Sequence, residues 1–366
     1  MRILICTGMF PPDIGGPATY SKTLADELPM RGIAVDVLSF GEVRHLPKII
    51  RHGVYFFKAL KRARNTDIVF AQDPVSVGVP AWCAAKLLGK KFALKIVGDY
   101  AWEQGIQRFG VRDMLDDFSQ KRRGYGARVD MLKRVQTFIA RRARAVIVPS
   151  AYLKRAVAAW GVPDGNIHVV YNGFEVAHFS SAGVAGKKSK KYTIVSAGRF
   201  VPWKGFAMLV EIMPQIRATF DAELVIVGDG PEKDRLAETV RALGLEEYVV
   251  FKGRLSHDAF LHVVADADVF ALNTAYEGFS HQILEAMALG TPVVTTNACG
   301  NPELISSGKE GILASYNNKK EFTEAILSLL SDKALRNDVA VHAKQKAAQF
   351  SITRMVNGTL ALLSRI

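Results

Sequence analysis

Short apolar runs recur along the chain, and the segments between them are long enough to hold a helix each. In the first half the runs are Arg2 to Thr7, Ala34 to Phe40, Asp67 to Ala71, Lys91 to Val97, Ala145 to Val148 and His168 to Val170. In the second they are Tyr192 to Ser196, Glu223 to Val227, Val249 to Lys252, Val269 to Leu272, Pro292 to Thr295 and Gly311 to Ala314. Runs this rich in Val, Ile and Leu read as strands, and strands alternating with helix-length crossovers predict a parallel, doubly wound α/β sheet in each half. The pattern lapses at Ser180-Ser-Ala-Gly-Val-Ala-Gly-Lys-Lys-Ser-Lys190, whose small residues suit a linker. Two Rossmann-like domains are therefore expected, 1–180 and 181–349, with 350–366 as a final segment. Ligands of such sheets bind beyond the carboxyl ends of the strands, so the domains are expected to face each other across a cleft.

Composition agrees with two cores of ordinary size: the chain has 366 residues and is 49% hydrophobic. No apolar run approaches the roughly 18 residues that span a bilayer, and Met1-Arg-Ile-Leu-Ile-Cys6 reads as a strand without a cleavage region behind it. A cytoplasmic location is expected. Cys6, Cys83 and Cys299 are far apart and have no metal-ligand spacing, so they read as reduced packing residues.

Charge is uneven. Residues 1–180 hold 27 Lys and Arg against 15 Asp and Glu, net +12, whereas residues 181–366 hold 21 against 20, net +1. The basic residues concentrate in 44–64 (Lys58, Lys61, Arg62, Arg64) and 108–144 (Lys121, Arg122, Arg123, Arg128, Lys133, Arg134, Arg141, Arg142, Arg144). With the mixed basic and apolar stretches Leu46 to Leu60 and Val129 to Ile139, this suggests an anionic membrane surface as partner, on the inner face of the membrane; solvated helix faces are the plain alternative.

The most informative segment is Thr274-Ala-Tyr-Glu-Gly-Phe-Ser-His-Gln-Ile-Leu-Glu-Ala-Met-Ala-Leu-Gly-Thr-Pro-Val-Val294. Glu277 and Glu285 bracket a loop of Gly278 and Phe279 that opens into a helix. Ser280 is its N-cap, and Gly290 with Pro292 ends it. Unpaired N–H groups at the helix mouth suit phosphate or sugar oxygens, and a carboxylate further along can accept hydrogen bonds from a ribose diol.

This Glu-x7-Glu, with its Glu-Gly-Phe lead and Gly-Thr-Pro exit, resembles the retaining nucleotide-sugar glycosyltransferases of family four, which have the GT-B fold. Gly198-Arg-Phe-Val-Pro-Trp-Lys-Gly205 resembles the same family's Gly-Arg-x4-Lys-Gly, in which Arg199 and Lys204 would stabilise the charge that builds on the departing nucleoside diphosphate. The resemblance implies that Glu277 lies near the donor sugar and Glu285 near the ribose. Gly228, in Val225-Ile-Val-Gly-Asp-Gly-Pro231, and Arg254, in Phe251-Lys-Gly-Arg-Leu-Ser256, join the donor-site candidates on weaker motifs. Gly15 and Gly16 resemble the family's glycine loop after the first strand, where backbone approaches phosphate or acceptor; an ordinary strand-to-helix turn is the alternative. Asn172-Gly173 reads equally as a plain turn or a ligand contact. Phe350 to Ile366 resembles the family's last helix, which returns to the first domain.

At one point the chain departs from the family. Where many members carry a His, Lys95-Ile-Val-Gly-Asp-Tyr-Ala-Trp-Glu103 puts Asp99, which accepts a hydrogen bond from a sugar hydroxyl but donates none while ionised. Tyr100 and Trp102 either stack on an acceptor or pack the domain. Asp266-Ala-Asp268 looks like a metal clamp, but its helix-to-strand junction argues against that. No metal and no cofactor are expected, the donor being a substrate.

The expected activity is transfer of a hexose from a GDP- or UDP-sugar, with retention, to a glycan or lipid-linked acceptor in cell-surface polysaccharide or glycolipid synthesis. Other readings are a sugar-nucleotide epimerase of the same fold, a nicotinamide dehydrogenase, disfavoured because no Gly-x-Gly-x-x-Gly follows the first strand, and a nonenzymatic nucleic-acid binder, disfavoured because no reading module is present.

Overall fold

A computed structural model describes the chain except for Ile14, Arg122 and residues 175–190. The linker Ser180 to Lys190 and the cation Arg122 therefore lie outside the described residues. The chain forms two compact units, 1–173 with 352–366, and 174–351.

The first unit holds β1 (Arg2–Thr7), β2 (Ala34–Ser39), β3 (Ile68–Ala71), β4 (Lys91–Lys95), β5 (Ala145–Val148) and β6 (Ile167–Val169). Between them run α1 (Gly16–Glu27), α2 (Lys48–Ala63), α3 (Gly78–Leu87), α4 (Tyr100–Phe109), α5 (Leu115–Gln120), α6 (Ala127–Ala140) and α7 (Ala151–Ala159). The second unit holds β7 (Tyr192–Ala197), β8 (Ala222–Val227), β9 (Val249–Gly253), β10 (Val269–Leu272), β11 (Val293–Thr296) and β12 (Ile312–Ala314). Its helices are α8 (Phe206–Glu211), α9 (Met213–Arg217), α10 (Lys233–Ala242), α11 (His257–Ala265), α12 (His281–Leu289), α13 (Asn301–Leu304), α14 (Lys319–Ser331) and α15 (Lys333–Ala347).

All twelve expected strands are present, within two residues of their expected ends, in two six-stranded parallel sheets ordered β2-β1-β3-β4-β5-β6 and β12-β11-β10-β7-β8-β9. Every residue of β3, β5, β10 and β11 is buried, the consequence of helices covering both faces of a parallel sheet. In the second unit Ile194, Leu224 and Ile226 point to one apolar cluster and Val195, Val225 and Val227 to another, the alternation of a pleated strand.

The last helix, α16 (Ile352–Arg365), is part of the first unit. Its Met355, Val356 and Leu363 share a core with Ile3, Tyr20 and Ile147, and Tyr20 Oη lies 3.0 Å from Thr359 Oγ1. Each sheet has one point where successive strands leave in opposite directions: between β1 and β3 in the first, between β7 and β10 in the second. The loops after those strands border the crevice in which open α/β sheets bind ligands.

Candidate functional site

Both strong motifs emerge at the switch point of the second sheet. Gly198 to Gly205 follows β7, and Asn273 to Ser280 follows β10. The two loops are tied together. Asn273, fully buried, donates through Nδ2 to the Gly205 carbonyl (2.9 Å) and to Asn317 Oδ1 (2.7 Å), and its Oδ1 accepts from the Asn317 N–H (3.0 Å). The Ala275 N–H donates to the Trp203 carbonyl (2.8 Å), while Thr296 Oγ1 holds the Thr274 carbonyl (2.6 Å) and the Gly300 N–H holds the Glu277 carbonyl (3.0 Å). These backbone ties fix the positions from which Lys204 and Glu277 project, and the Lys204 ammonium pairs directly with Glu277 Oε1. Arg199, in the same loop, is exposed and pairs with no carboxylate among the described residues.

Gly198 and Gly228 belong to the framework of the site. The loops after β7, β8 and β9 are knitted by Gly198 N–H to the Val227 carbonyl (3.0 Å) and Gly228 N–H to the Gly253 carbonyl (2.8 Å). A β-carbon on Gly228 would lie 1.9 Å from the Gly198 carbonyl oxygen, and its φ of +137° is one that L-residues rarely adopt. Arg254, beyond β9, is exposed and stands 3.6 Å from Asp229 Oδ2.

Ser280 caps α12, its Oγ accepting from the Ile283 N–H (3.3 Å). Gly278 is buried, and Phe279, also buried, packs against Phe350 with ring centroids 5.4 Å apart. Glu285 projects from α12, only 5% exposed, and meets His257 at 2.9 Å. Burial pushes the Glu285 carboxyl above its ordinary range, and His257 pulls it partly back. His257 itself is held above the ordinary histidine value, first by its hydrogen bond to Glu285, against the opposing effect of burial.

The folded protein keeps the His257 proton to higher pH than the unfolded chain, so the contribution to stability is complete below the ordinary value of 6.5 and is lost as pH rises through the raised one. Thermal melts scanned upward from pH 6.5 should fall, and the same scan on His257→Asn should lose that component. A variant with an unchanged slope would break the link to this pair.

In the first unit, Gly15 and Gly16 open α1 just beyond β1, with Gly15 at φ +143°. Asp99 is the N-cap of α4 and is 1% exposed. Its Oδ1 accepts from the Trp102 N–H (3.0 Å) and Gln136 Nε2 (2.9 Å), Oδ2 is buried with no hydrogen-bond partner among the described residues, and burial raises its pKa. Trp102 is fully buried, its indole N–H donating to the Asp113 carbonyl (2.9 Å), so it packs the domain. Asn172 accepts from the fully buried Lys95 (3.1 Å), and the Gly173 N–H meets Met355 Sδ (3.3 Å), which makes that turn structural. Asp268 Oδ2 accepts from the Thr193 N–H (2.7 Å), the ordinary duty of a strand-end acid, and no cluster of metal-ligating side chains occurs among the described residues.

Sequence reasoning passed over Asn273, Asn317 and His257. His257 follows the N-cap Ser256 beside one named motif and Asn273 directly precedes another, whereas Asn317 left no trace.

Two family models divide the chain: Glycosyltransferase Family 4 matches residues 14–178 and Glycosyl transferases group 1 matches residues 180–346. The chain belongs to the family 4 glycosyltransferases. An uncharacterized glycosyltransferase of Methanocaldococcus jannaschii, MJ1607, is 26% identical over 94% of this chain and 93% of its own. The GDP-mannose-dependent alpha-(1-6)-phosphatidylinositol monomannoside mannosyltransferase of Mycobacterium tuberculosis is 31% identical over 50% of this chain and 52% of its own. Among solved structures, Anabaena HepE in complex with UDP and glucose superposes over the whole of both chains with a TM-score of 0.78 at 22% identity, a likeness of fold. The glycosyltransferase thus has the GT-B architecture, and its family membership sets aside the dehydrogenase and nucleic-acid readings. Among its described residues no helix is long and apolar enough to cross a membrane.

Proposed function

We propose that this glycosyltransferase moves a hexose from a UDP- or GDP-sugar, with retention of configuration, to a glycan or lipid-linked acceptor of cell-surface polysaccharide or glycolipid. The observation that carries the reading is the Lys204–Glu277 pair at the switch point of the second sheet, with Arg199 in the same loop pairing with no carboxylate among the described residues. In this reading the diphosphate takes Arg199 and Lys204 as its counter-cations, freeing Glu277 for the sugar hydroxyls, while the Gly278 to Ser280 backbone at the mouth of α12 receives oxygens of the donor. Glu285, oriented by His257, accepts from the ribose diol. Gly198 and Gly228 hold the loops that approach the nucleotide, and Arg254 borders the base. No metal or cofactor enters, because two cations and a helix terminus already supply the positive charge.

The first unit takes the acceptor, with Gly15 and Gly16 as its glycine loop and Asp99 as a positioning residue that fixes the start of α4. That the mycobacterial relative acts on a phosphatidylinositol monomannoside supports a lipid-linked acceptor, and the +12 of residues 1–180 supports work at an anionic membrane surface on the cytoplasmic side. A thermal-shift screen of UDP- and GDP-sugars tests the donor half: a true donor at 100 times its dissociation constant adds about 2.7 kcal/mol, a shift of several degrees. No shift with any of them would remove the donor assignment.

A further inference from the structure

The first unit has a concavity at the amino ends of its strands, opposite to the ends that carry the loops described above. A cavity of about 570 Å³ opens where β1 and β2 begin, against the last turns of α2, with Arg2, Asp36, Lys58, Lys61 and Arg62 in its wall. Two of the four cations are satisfied. Lys58 Nζ lies 2.8 Å from Glu42 Oε2, and Arg62 reaches Asp36 Oδ1 (3.1 Å), the Val37 carbonyl (2.6 Å) and both Glu42 oxygens (3.1 Å). The other two are not. Lys61 makes no ion pair or hydrogen bond among the described residues, and the Arg2 guanidinium donates to the Asn65 carbonyl (3.2 Å) and to no described carboxylate. The Asp67 carboxylate holds the Arg2 backbone N–H (2.7 Å), but the guanidinium and the Lys61 ammonium pair with no described carboxylate, and an oxyanion in the concavity would engage both.

The same helix indicates which oxyanion. Ile50, Gly53, Phe57, Lys61 and Arg64 are all exposed and, at about 100° per residue, fall within a sector of roughly 80°. Their stripe is apolar at its start, where Ile50 is 54% and Phe57 67% exposed, and basic where it meets the cavity. α3, packed beside α2, carries the exposed Leu87 beside Lys86, and α6, which packs on α3, carries the exposed Met131 and Phe138 either side of Arg134. A soluble phosphate would fill the cavity and leave Ile50 and Phe57 in water. A phospholipid accounts for both, its phosphate in the cavity and its acyl boundary against the apolar end of the stripe.

We infer that the cavity between α2 and the amino ends of β1 and β2 binds the phosphate headgroup of an anionic phospholipid, with Ile50 and Phe57 set in the bilayer beside it. This deepens the membrane-surface reading proposed above and does not depend on the donor.

Flotation of the full-length protein with phosphatidylcholine vesicles, with and without phosphatidylglycerol, tests it at low and at raised salt. The parent should partition to the phosphatidylglycerol vesicles at low salt and release as salt rises. Arg2→Gln with Lys61→Gln should lower partition roughly 25-fold, about fivefold per cation, and Ile50→Ser with Phe57→Ser should lower it at both salt levels. Lys61→Arg should keep it. All variants should retain the thermal shift given by the nucleotide sugar, so loss of docking and loss of the donor site are read separately. Equal partition to neutral vesicles, or parental partition by the cavity variant, would overturn the inference. So would calorimetric binding of inorganic phosphate at Lys61 with no vesicle preference, which would make the cavity a soluble-phosphate site.

Discussion

Lys204→Ala is expected to lower turnover of the nucleotide sugar by about 10²- to 10³-fold, the cost of removing one preorganised donor from a site of developing negative charge. In the free protein Lys204 is paired with Glu277, both side chains largely shielded (13% and 16% exposed). The substitution therefore acts twice: it removes a counter-cation for the leaving diphosphate, and it leaves Glu277 without a partner where solvation is poor. Affinity for the free nucleoside diphosphate should fall less than turnover, because charge on the phosphate is greatest as the bond to the sugar breaks. Release of nucleoside diphosphate from the donor identified by thermal shift, compared with equilibrium binding of the nucleotide, separates the two. Parental turnover would remove Lys204 from the chemistry.

Gly228→Ala is expected to destabilise the second unit by about 4 kcal/mol, combining an unfavourable positive φ with overpacking. The β-carbon would stand 1.9 Å from a backbone carbonyl oxygen, so the loops after β7 and β8 must separate and no side-chain rotation relieves the contact. The melting transition of that unit should drop by roughly 10 °C. Gly244→Ala is an instructive comparison, since its φ of +63° is a left-handed conformation that L-residues adopt at modest cost and no atom lies within 4 Å of the added carbon; its loss should be smaller, lacking both the contact and the greater strain of φ +137°. Equal losses would mean that the close approach of Gly228 to Gly198 does not matter.

The strands were legible because parallel strands buried on both faces are continuous apolar runs, and the ends of α12 were legible because Ser280 and Gly290 are strong local punctuation. What was not legible came from chain-distant pairing. Glu285 reads as one of two motif acids, but that His257, 28 residues away, meets it depends on how α11 and α12 pack. Charge counting was misled in the same way. Lys133 looks like part of a basic surface, yet it is buried, donating to the Phe118 and Lys121 carbonyls over the Phe118 ring, and Lys58 and Arg62 are engaged by Glu42 and Asp36. The basic surface is therefore smaller than the count suggests, and Lys61 is one of the cations that remain. Asp99 shows the opposite case: its place was read from the sequence, whereas its burial and its N-cap duty follow from the packing of α4 on α6.

In the proposed function the diphosphate of the sugar donor binds at the carboxyl ends of β7 and β10. Calorimetric titration of UDP and GDP into the parent, Lys204→Ala and Glu285→Gln tests it most directly. One nucleotide is expected to bind the parent and to bind both variants at least about tenfold more weakly, a difference of about 1.4 kcal/mol, with their melting curves still cooperative. Binding of equal strength to all three proteins would contradict it.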